Sequence, residues 1–278
     1  MGRVRTGWRL ARASWSVLRA DSSLAIYPAA AVIVAMLAFW VVAGVGVAVG
    51  QAVSASWLTL ACLVAGIYAA VYFVVYFNVA LAAAAQQSID GRNTGLRDGL
   101  TVARSRRGFI GKWALLEVSL GLLVSVIGAL LSDAGARTLS SLVSATAGFA
   151  WSVATFFVIP VLALEGLGPR DAITRSIDLI RSRWGEAVVG RTGIGAVVFL
   201  FAVLPVAGLA VLATELDPVN PALAGVAYAL FAFVVVVTIV LGSALSVIFR
   251  VELYRYATAG ELTGGFARGD VEATFRGA

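Results

Sequence analysis

Six long apolar runs constrain the fold of this 278-residue chain more than any other feature of its sequence. Each run exceeds the roughly 20 residues that an α-helix needs to cross the hydrocarbon core of a bilayer. Each is also too long and too uniform for a β-barrel strand, which alternates over about 10 residues. We therefore predict transmembrane helices over residues 24–49, 57–85, 109–131, 139–164, 187–213 and 222–249.

The small share of charged residues supports a membrane fold. Only 13% of the residues are charged and 60% are hydrophobic, whereas a soluble domain carries about 25% charged residues. A soluble fold of this size would lack the polar groups to cover its surface, and a bilayer removes that need. The sequence predicts an all-α, polytopic membrane helical bundle that forms one domain over residues 1–278.

The basic residues indicate how the bundle is oriented. All lysines and arginines except Arg137 lie before the first run, between the second and third, between the fourth and fifth, or after the last, if Lys112 and Arg191 in the first turns of the third and fifth runs are counted with the connections before them. Loops rich in Lys and Arg remain on the cytoplasmic side. Both termini are therefore predicted to be cytoplasmic, and this regular alternation also supports the count of six spans.

The basic segments resemble one another. Three of them contain a Gly-x-Arg sequence, at Gly7, Gly95 and Gly168. Each is predicted to form a short amphipathic helix that leads into a hairpin of two spans, in a threefold repeat. The alternative is chance similarity between basic loops. The predicted helices cover 1–23, 94–107 and 169–184, the hairpins 24–85, 109–164 and 187–249, and a cytoplasmic tail 250–278.

The amphipathic helices have the pattern of helices that lie in the headgroup plane. In the third, one apolar stripe contains Ile173, Ile177, Ile180 and Trp184, and Arg175 is spaced to pair with Asp171. Such helices either bind anionic lipid headgroups or partner proteins, or only anchor the spans. The candidate lipid- or partner-binding residues are Arg5, Arg9, Arg12, Arg19, Arg175 and Arg181.

Two polar residues inside the predicted spans are candidates for an intramembrane site. Glu117 is a functional candidate because a charge within a bilayer is costly, although a structural ion pair is the alternative. The cations in reach are Arg104, Arg107, Lys112 and Arg191. Asn78 is expected to join helices through its amide. With the hydroxyls of the fourth span and the helix-bending Pro160 and Pro205, Glu117 and Asn78 could instead line the cavity of a small transporter or channel.

The sequence offers little for catalysis. The chain has no histidine and a single cysteine, Cys62, which excludes an intrachain disulfide and the usual Ser-His hydrolase arrangement. We predict no enzyme activity, no catalytic residues, no metal and no cofactor. The net charge of +6 is attributed to lipid contact rather than nucleic acid. Gly46 and Gly50 form a small-xxx-small pair that predicts close helix packing or a homo-oligomer.

Several segments resemble a known family. They are Tyr76-Phe77-Asn78-Val79-Ala80-Leu81, Asp98-Gly99-Leu100, Trp151-Ser152-Val153-Ala154-Thr155-Phe156-Phe157-Val158-Ile159-Pro160-Val161, Glu165-Gly166-Leu167-Gly168-Pro169 and Phe249-Arg250-Val251-Glu252-Leu253-Tyr254-Arg255-Tyr256-Ala257-Thr258. The chain is similar through them to uncharacterised six-span bacterial and archaeal membrane proteins grouped as a domain of unknown function. The resemblance implies a six-helix domain in a prokaryotic plasma (inner) membrane and implies no activity.

These observations favour a non-enzymatic integral membrane protein whose basic helices bind anionic lipid or partner proteins at the inner leaflet. A small transporter or channel with a polar site around Glu117 and Asn78 is the alternative.

Overall fold

The computed structural model describes residues 14–92, 95–184, 214 and 221–260, and within these residues it contains helices and no strand. A 3-10 turn over Ser22–Ala25 precedes the first long helix. The helices are α1 (Ile26–Ala52), α2 (Ser56–Ile89), α3 (Leu96–Ser105), α4 (Arg107–Asp133), α5 (Arg137–Ala154), α6 (Val158–Leu164), α7 (Pro169–Trp184) and α8 (Pro221–Ala259).

Within the described residues, five helical segments are long and apolar enough to cross a membrane. They are Ser22–Ala52, Ser56–Ile89, Arg107–Asp133, Arg137–Leu164 and Leu223–Ala259. Each contains or largely covers one of the predicted spans, which confirms an all-α polytopic bundle. The predicted span 187–213 and the kink expected at Pro205 lie outside the described residues. The last helix continues to Ala259 rather than ending near residue 249, which extends it by roughly 15 Å at about 1.5 Å per residue.

The densest packing lies at one end of the bundle, which we call the basic end. It comprises residues 18–27, 75–92, 95–113, 157–182 and 244–260. Here α2 is buried continuously from Val79 to Ala85, and Val161 and Leu253 have no exposed surface. Towards the opposite end, large side chains such as Trp40 (66% exposed) and Trp57 (71% exposed) cover the outside. This division is what a bilayer requires, because lipid solvates the outer apolar surface.

The small-residue pair of the first span packs within its own hairpin. A side chain at Gly46 would overlap Cys62, and one at Gly50 would overlap Thr59, both on α2. Close backbone approach therefore joins α1 to α2, as the sequence predicted. That face is occupied within the chain, and a homo-oligomer remains an untested prediction.

Helix α3 is docked on the first two spans. Gly99 lies so close to the carbonyl oxygen of Ala80 that no side chain fits between them. The Tyr27 hydroxyl donates to the Leu96 carbonyl at 3.0 Å, and the Tyr76 hydroxyl donates to the Leu100 carbonyl at 3.4 Å. The sequence Asp98-Gly99-Leu100 thus marks a crossing between an amphipathic helix and two spans.

Helix α7 begins at Pro169 as predicted, but its buried face differs from the predicted stripe. Ala172 and Ser176 are completely buried, whereas Ile173 and Ile177 are half-buried at the edge of the contact. Ile180 is buried as expected. The stripe was assigned from hydrophobicity, but close docking on a helix bundle selects small residues.

A break divides the fourth span. Helix α5 ends at Ala154 and α6 begins at Val158, so Pro160 falls in the first turn of a new helix, where its missing N–H costs nothing. The expected kink is therefore a full interruption. At the break, the Phe157 backbone N–H donates to the Ser176 hydroxyl at 3.1 Å.

The two described amphipathic helices follow one pattern. Gly99 of α3 and Ala172 of α7 occupy equivalent positions four residues after a Gly-x-Arg glycine, and both are buried. Thr101 and Thr174 each donate to the backbone carbonyl four residues earlier. These matches support a repeat between the second and third basic segments. The first segment is described only from Ser14, and the threefold relation stays a prediction.

Gly99→Ala tests the docking of α3. The new methyl group meets backbone atoms that cannot move aside, so we expect a loss of about 1–3 kcal/mol of stability and a lower Tm of the detergent-solubilised protein. The matched control is Gly121→Ala in α4, where nothing lies within 4 Å of the added carbon. Equal melting of the two variants would contradict the close approach.

Candidate functional site

Polar side chains on one face of α8 bind the other helices together. Ser243, Arg250 and Tyr254 lie at i, i+7 and i+11, which places them on one stripe of a helix with 3.6 residues per turn. Each engages a polar residue from a different part of the chain. The stripe runs from within the apolar part of α8 to the basic end.

The first contact uses Asn78. The Ser243 hydroxyl donates to the Asn78 side-chain oxygen at 3.2 Å and joins α8 to α2. An interhelical hydrogen bond of this kind stabilises a membrane bundle by about 0.6–2 kcal/mol. The arrangement is the helix-joining role expected for an intramembrane amide.

The second interaction along the stripe is electrostatic and involves Glu117. Its carboxylate interacts electrostatically with Arg250, and not with Arg104, Arg107 or Lys112 as expected; Arg191 lies outside the described residues. The Trp113 indole N–H lies near the carboxylate one turn away but does not meet it in hydrogen-bond geometry. The unexpected length of α8 brings Arg250 to this position.

Aromatic rings surround this charge pair. The Arg250 guanidinium lies 5.3 Å from the centre of the Phe156 ring, within the range of a cation–π contact. Trp113 and Trp151 stack with ring centres 5.6 Å apart and planes 7° from parallel. Phe156 lies in the break of the fourth span and Trp151 lies one turn before it. The Glu117 and Arg250 charges are therefore next to this break.

The third contact is centred on Glu165. One carboxylate oxygen accepts hydrogen bonds from the Tyr254 hydroxyl at 2.7 Å and from the Arg175 Nε at 3.0 Å. Arg175 therefore pairs with Glu165 and not with Asp171, the partner predicted from helical spacing. These two bonds tie the end of the fourth span, helix α7 and helix α8 together.

A fourth contact closes the basic end. Arg255 forms an ion pair with Asp90 at 2.6 Å, and the Gln86 amide donates to Asp90 at 3.3 Å. A cavity of about 390 Å³ opens between these residues, Tyr254 and Thr258. It lies where α2, α6 and α8 all end.

Glycines terminate these helices. Gly91, Gly166 and Gly260 follow α2, α6 and α8 with φ angles of 72°, 68° and 72°. Such left-handed residues are a common way to end a helix and are usually glycine. At Gly166 the Arg106 guanidinium also fills the space that a side chain would need. Both the backbone conformation and this contact therefore require glycine.

The sequence profile of DUF6159, a family of unknown function, matches residues 58–265. The chain belongs to this family. No curated protein and no solved structure matches the chain significantly. The region shared with DUF6159 includes every contact of the polar network on α8, whereas the first span and the predicted N-terminal helix lie before it.

The predicted lipid-binding arginines are placed as follows. Arg19 and Arg181 are exposed, and Arg175 is partly exposed with its Nε directed at Glu165. Arg5, Arg9 and Arg12 lie outside the described residues. Their role in binding is therefore still a prediction.

Sequence reasoning missed several residues of this DUF6159 site. Tyr254, Arg255 and the fully buried Glu252 were assigned to a tail, and Asp90 was not singled out. The available signal was the presence of carboxylates within otherwise basic segments, since each such carboxylate needs a nearby cation or donor. Among the described residues, no group of three His, Cys, Asp or Glu side chains could hold a metal ion.

Tyr254→Phe tests the Glu165 contact. Loss of a hydrogen bond to a charged acceptor is expected to cost about 1–2 kcal/mol and to lower the Tm in detergent. Tyr228→Phe, on the exposed apolar part of α8, is the control. In a double-mutant cycle with Glu165→Gln the two losses should be less than additive; fully additive losses would show that the residues do not interact.

Proposed function

We propose that this chain is a non-enzymatic protein of the prokaryotic plasma membrane whose basic end binds anionic lipid headgroups at the cytoplasmic leaflet. The observation that carries the proposal is the distribution of charge at the basic end. Glu165 and Asp90 are paired with Arg175 and Arg255. The exposed cations are Arg19, Arg92, Arg97, Arg104, Arg107, Lys112, Arg170 and Arg181.

Electrostatics supports lipid as the ligand. A basic side chain near an anionic leaflet contributes about 1 kcal/mol of attraction, so a group of them adds to a substantial affinity. Exposed carboxylates at this end, such as Asp171 and Asp178, reduce the net charge without reversing it. The Asp98 carboxylate accepts from the Gly95 backbone N–H at 3.0 Å and is used in starting α3.

The docking of α3 and α7 adds preorganisation. Each helix is held by hydrogen bonds to the spans and buries its small residues, while Arg97 and Arg104 of α3 and Arg170 and Arg181 of α7 are exposed on the outer side. Side chains held in this way lose less freedom on binding than those of a mobile tail. Binding of a partner protein by the same surface would be the other outcome of the experiments below.

A small transporter or channel is the second candidate. The observation that favours it is the position of Asn78, Glu117 and their partners along one stripe of α8, next to a broken span. Because each of these residues has its own partner on α8, we rank helix joining above transport. Solute flux in proteoliposomes that disappears in Glu117→Gln would reverse that order.

Lipid binding is tested with the purified full-length protein. Arg97→Gln, Arg104→Gln and Arg107→Gln combined should weaken retention of phosphatidylglycerol by roughly 100-fold, from about 1 kcal/mol per charge. Retention is read by native mass spectrometry. The control is Arg137→Gln at the opposite end, which should change nothing. Equal retention of phosphatidylglycerol by the triple variant and wild type would overturn the proposal.

Orientation is tested by cysteine labelling in a Cys62→Ala background. Thr101→Cys on α3 and Thr138→Cys at the opposite end are both exposed helical positions. With a membrane-impermeant maleimide on intact cells, we expect labelling at residue 138 only, and at both positions after lysis. Labelling of residue 101 in intact cells would place the basic end outside.

A further inference from the structure

We infer that the cavity at the basic end binds the primary ammonium group of a zwitterionic ligand, and its position favours an amine-bearing phospholipid headgroup as the source. The cavity of about 390 Å³ lies between the ends of α2, α6 and α8, which is the depth of the headgroups if the apolar spans fill the bilayer core. This site is separate from the exposed arginines and does not rest on the proposed binding of anionic lipid.

The hydrogen-bond inventory of the wall indicates that the ligand is a donor. The Thr258 hydroxyl points its proton at the Tyr254 backbone carbonyl, 2.9 Å away, because a carbonyl can only accept. For the same reason the Tyr254 hydroxyl donates to the Glu165 carboxylate. Both hydroxyl protons are used within the protein, so each oxygen can only accept a hydrogen bond from a ligand.

Asp90 provides the charge for an ammonium group. One of its oxygens receives Arg255 at 2.6 Å, while the other receives, among the residues that the structure describes, the Gln86 amide at 3.3 Å. A carboxylate has room for about four hydrogen bonds, and the Asp90 side chain is 32% exposed. Its second oxygen is therefore an accessible, negatively charged acceptor at the cavity.

The balance of charge favours a ligand with both signs. Asp90 in the cavity wall is paired with Arg255, and Glu165, which binds the wall residue Tyr254, is paired with Arg175, so these four charges sum to zero. An isolated cation or anion would leave an excess charge at the edge of a low-dielectric region, which is costly. An ammonium group carried next to a phosphate adds no net charge.

A trimethylated headgroup is the informative comparison. It carries the same positive charge but no N–H, and therefore cannot donate to Asp90, Tyr254 or Thr258. The wall thus predicts selection of phosphatidylethanolamine over phosphatidylcholine with identical acyl chains. The expected preference is at least tenfold for the full-length protein, measured as lipid retained in native mass spectra.

Substitutions locate the site. Asp90→Asn should remove the preference, whereas Asp133→Asn, an exposed aspartate at the opposite end, should keep it. Because Asp90→Asn also weakens the ion pair with Arg255, Thr258→Val provides a second variant that alters the wall and should reduce the preference. The triple arginine variant should lose phosphatidylglycerol and still prefer phosphatidylethanolamine, which separates this inference from the proposed function.

Soluble glycerophosphoethanolamine, a phosphate diester without net charge near pH 7, identifies the source of the ammonium group. If it raises the Tm of delipidated wild type, but not of Asp90→Asn, without any preference between the two lipids, the site belongs to a soluble ligand. Equal retention of both lipids together with no response to glycerophosphoethanolamine would overturn the inference. A lipid preference that persists unchanged in both Asp90→Asn and Thr258→Val would overturn it as well.

Discussion

Helices in a bilayer gain little from bringing apolar faces together, because lipid is as apolar as a neighbouring helix. Close backbone packing and interhelical hydrogen bonds must supply the specificity. In this chain close backbone packing joins α1 and α3 to α2, and interhelical hydrogen bonds are concentrated along α8. Gly99 and the run of alanines in α2 permit close approach, and the stripe of Ser243, Arg250 and Tyr254 supplies polar partners.

The amphipathic helices are also held by close packing and hydrogen bonds. Segments such as α3 and α7 are commonly described as lying free on the membrane surface, but each of these two is hydrogen-bonded to spans. Their buried faces use Gly99, Ala103, Ala172 and Ser176 in place of large apolar residues. Any ligand that binds their arginines therefore acts on groups in direct mechanical contact with the transmembrane helices.

The spans could be predicted from sequence because an uninterrupted apolar run has few alternatives to a membrane helix. The end of α8 was missed for the converse reason. Arg250 and Arg255 interrupt the apolar pattern and resemble the start of a tail, yet the helix continues because Glu117 and Asp90 elsewhere in the chain interact with them. The partner of Arg175 was missed because the turn at Gly166 brings Glu165 back towards α7, and helical spacing within α7 contains no information about that turn.

The polar network on α8 also has a consequence for biosynthesis. A ribosome delivers the chain from its N-terminus, so the polar groups of α2, α4 and α6 enter the membrane before α8 exists. Asn78 and Glu117 must then be accommodated by water, by headgroups or by the insertion machinery until the last helix arrives. Helix α8 therefore completes this polar network, and until it is inserted the membrane holds polar groups whose partners have not yet been made.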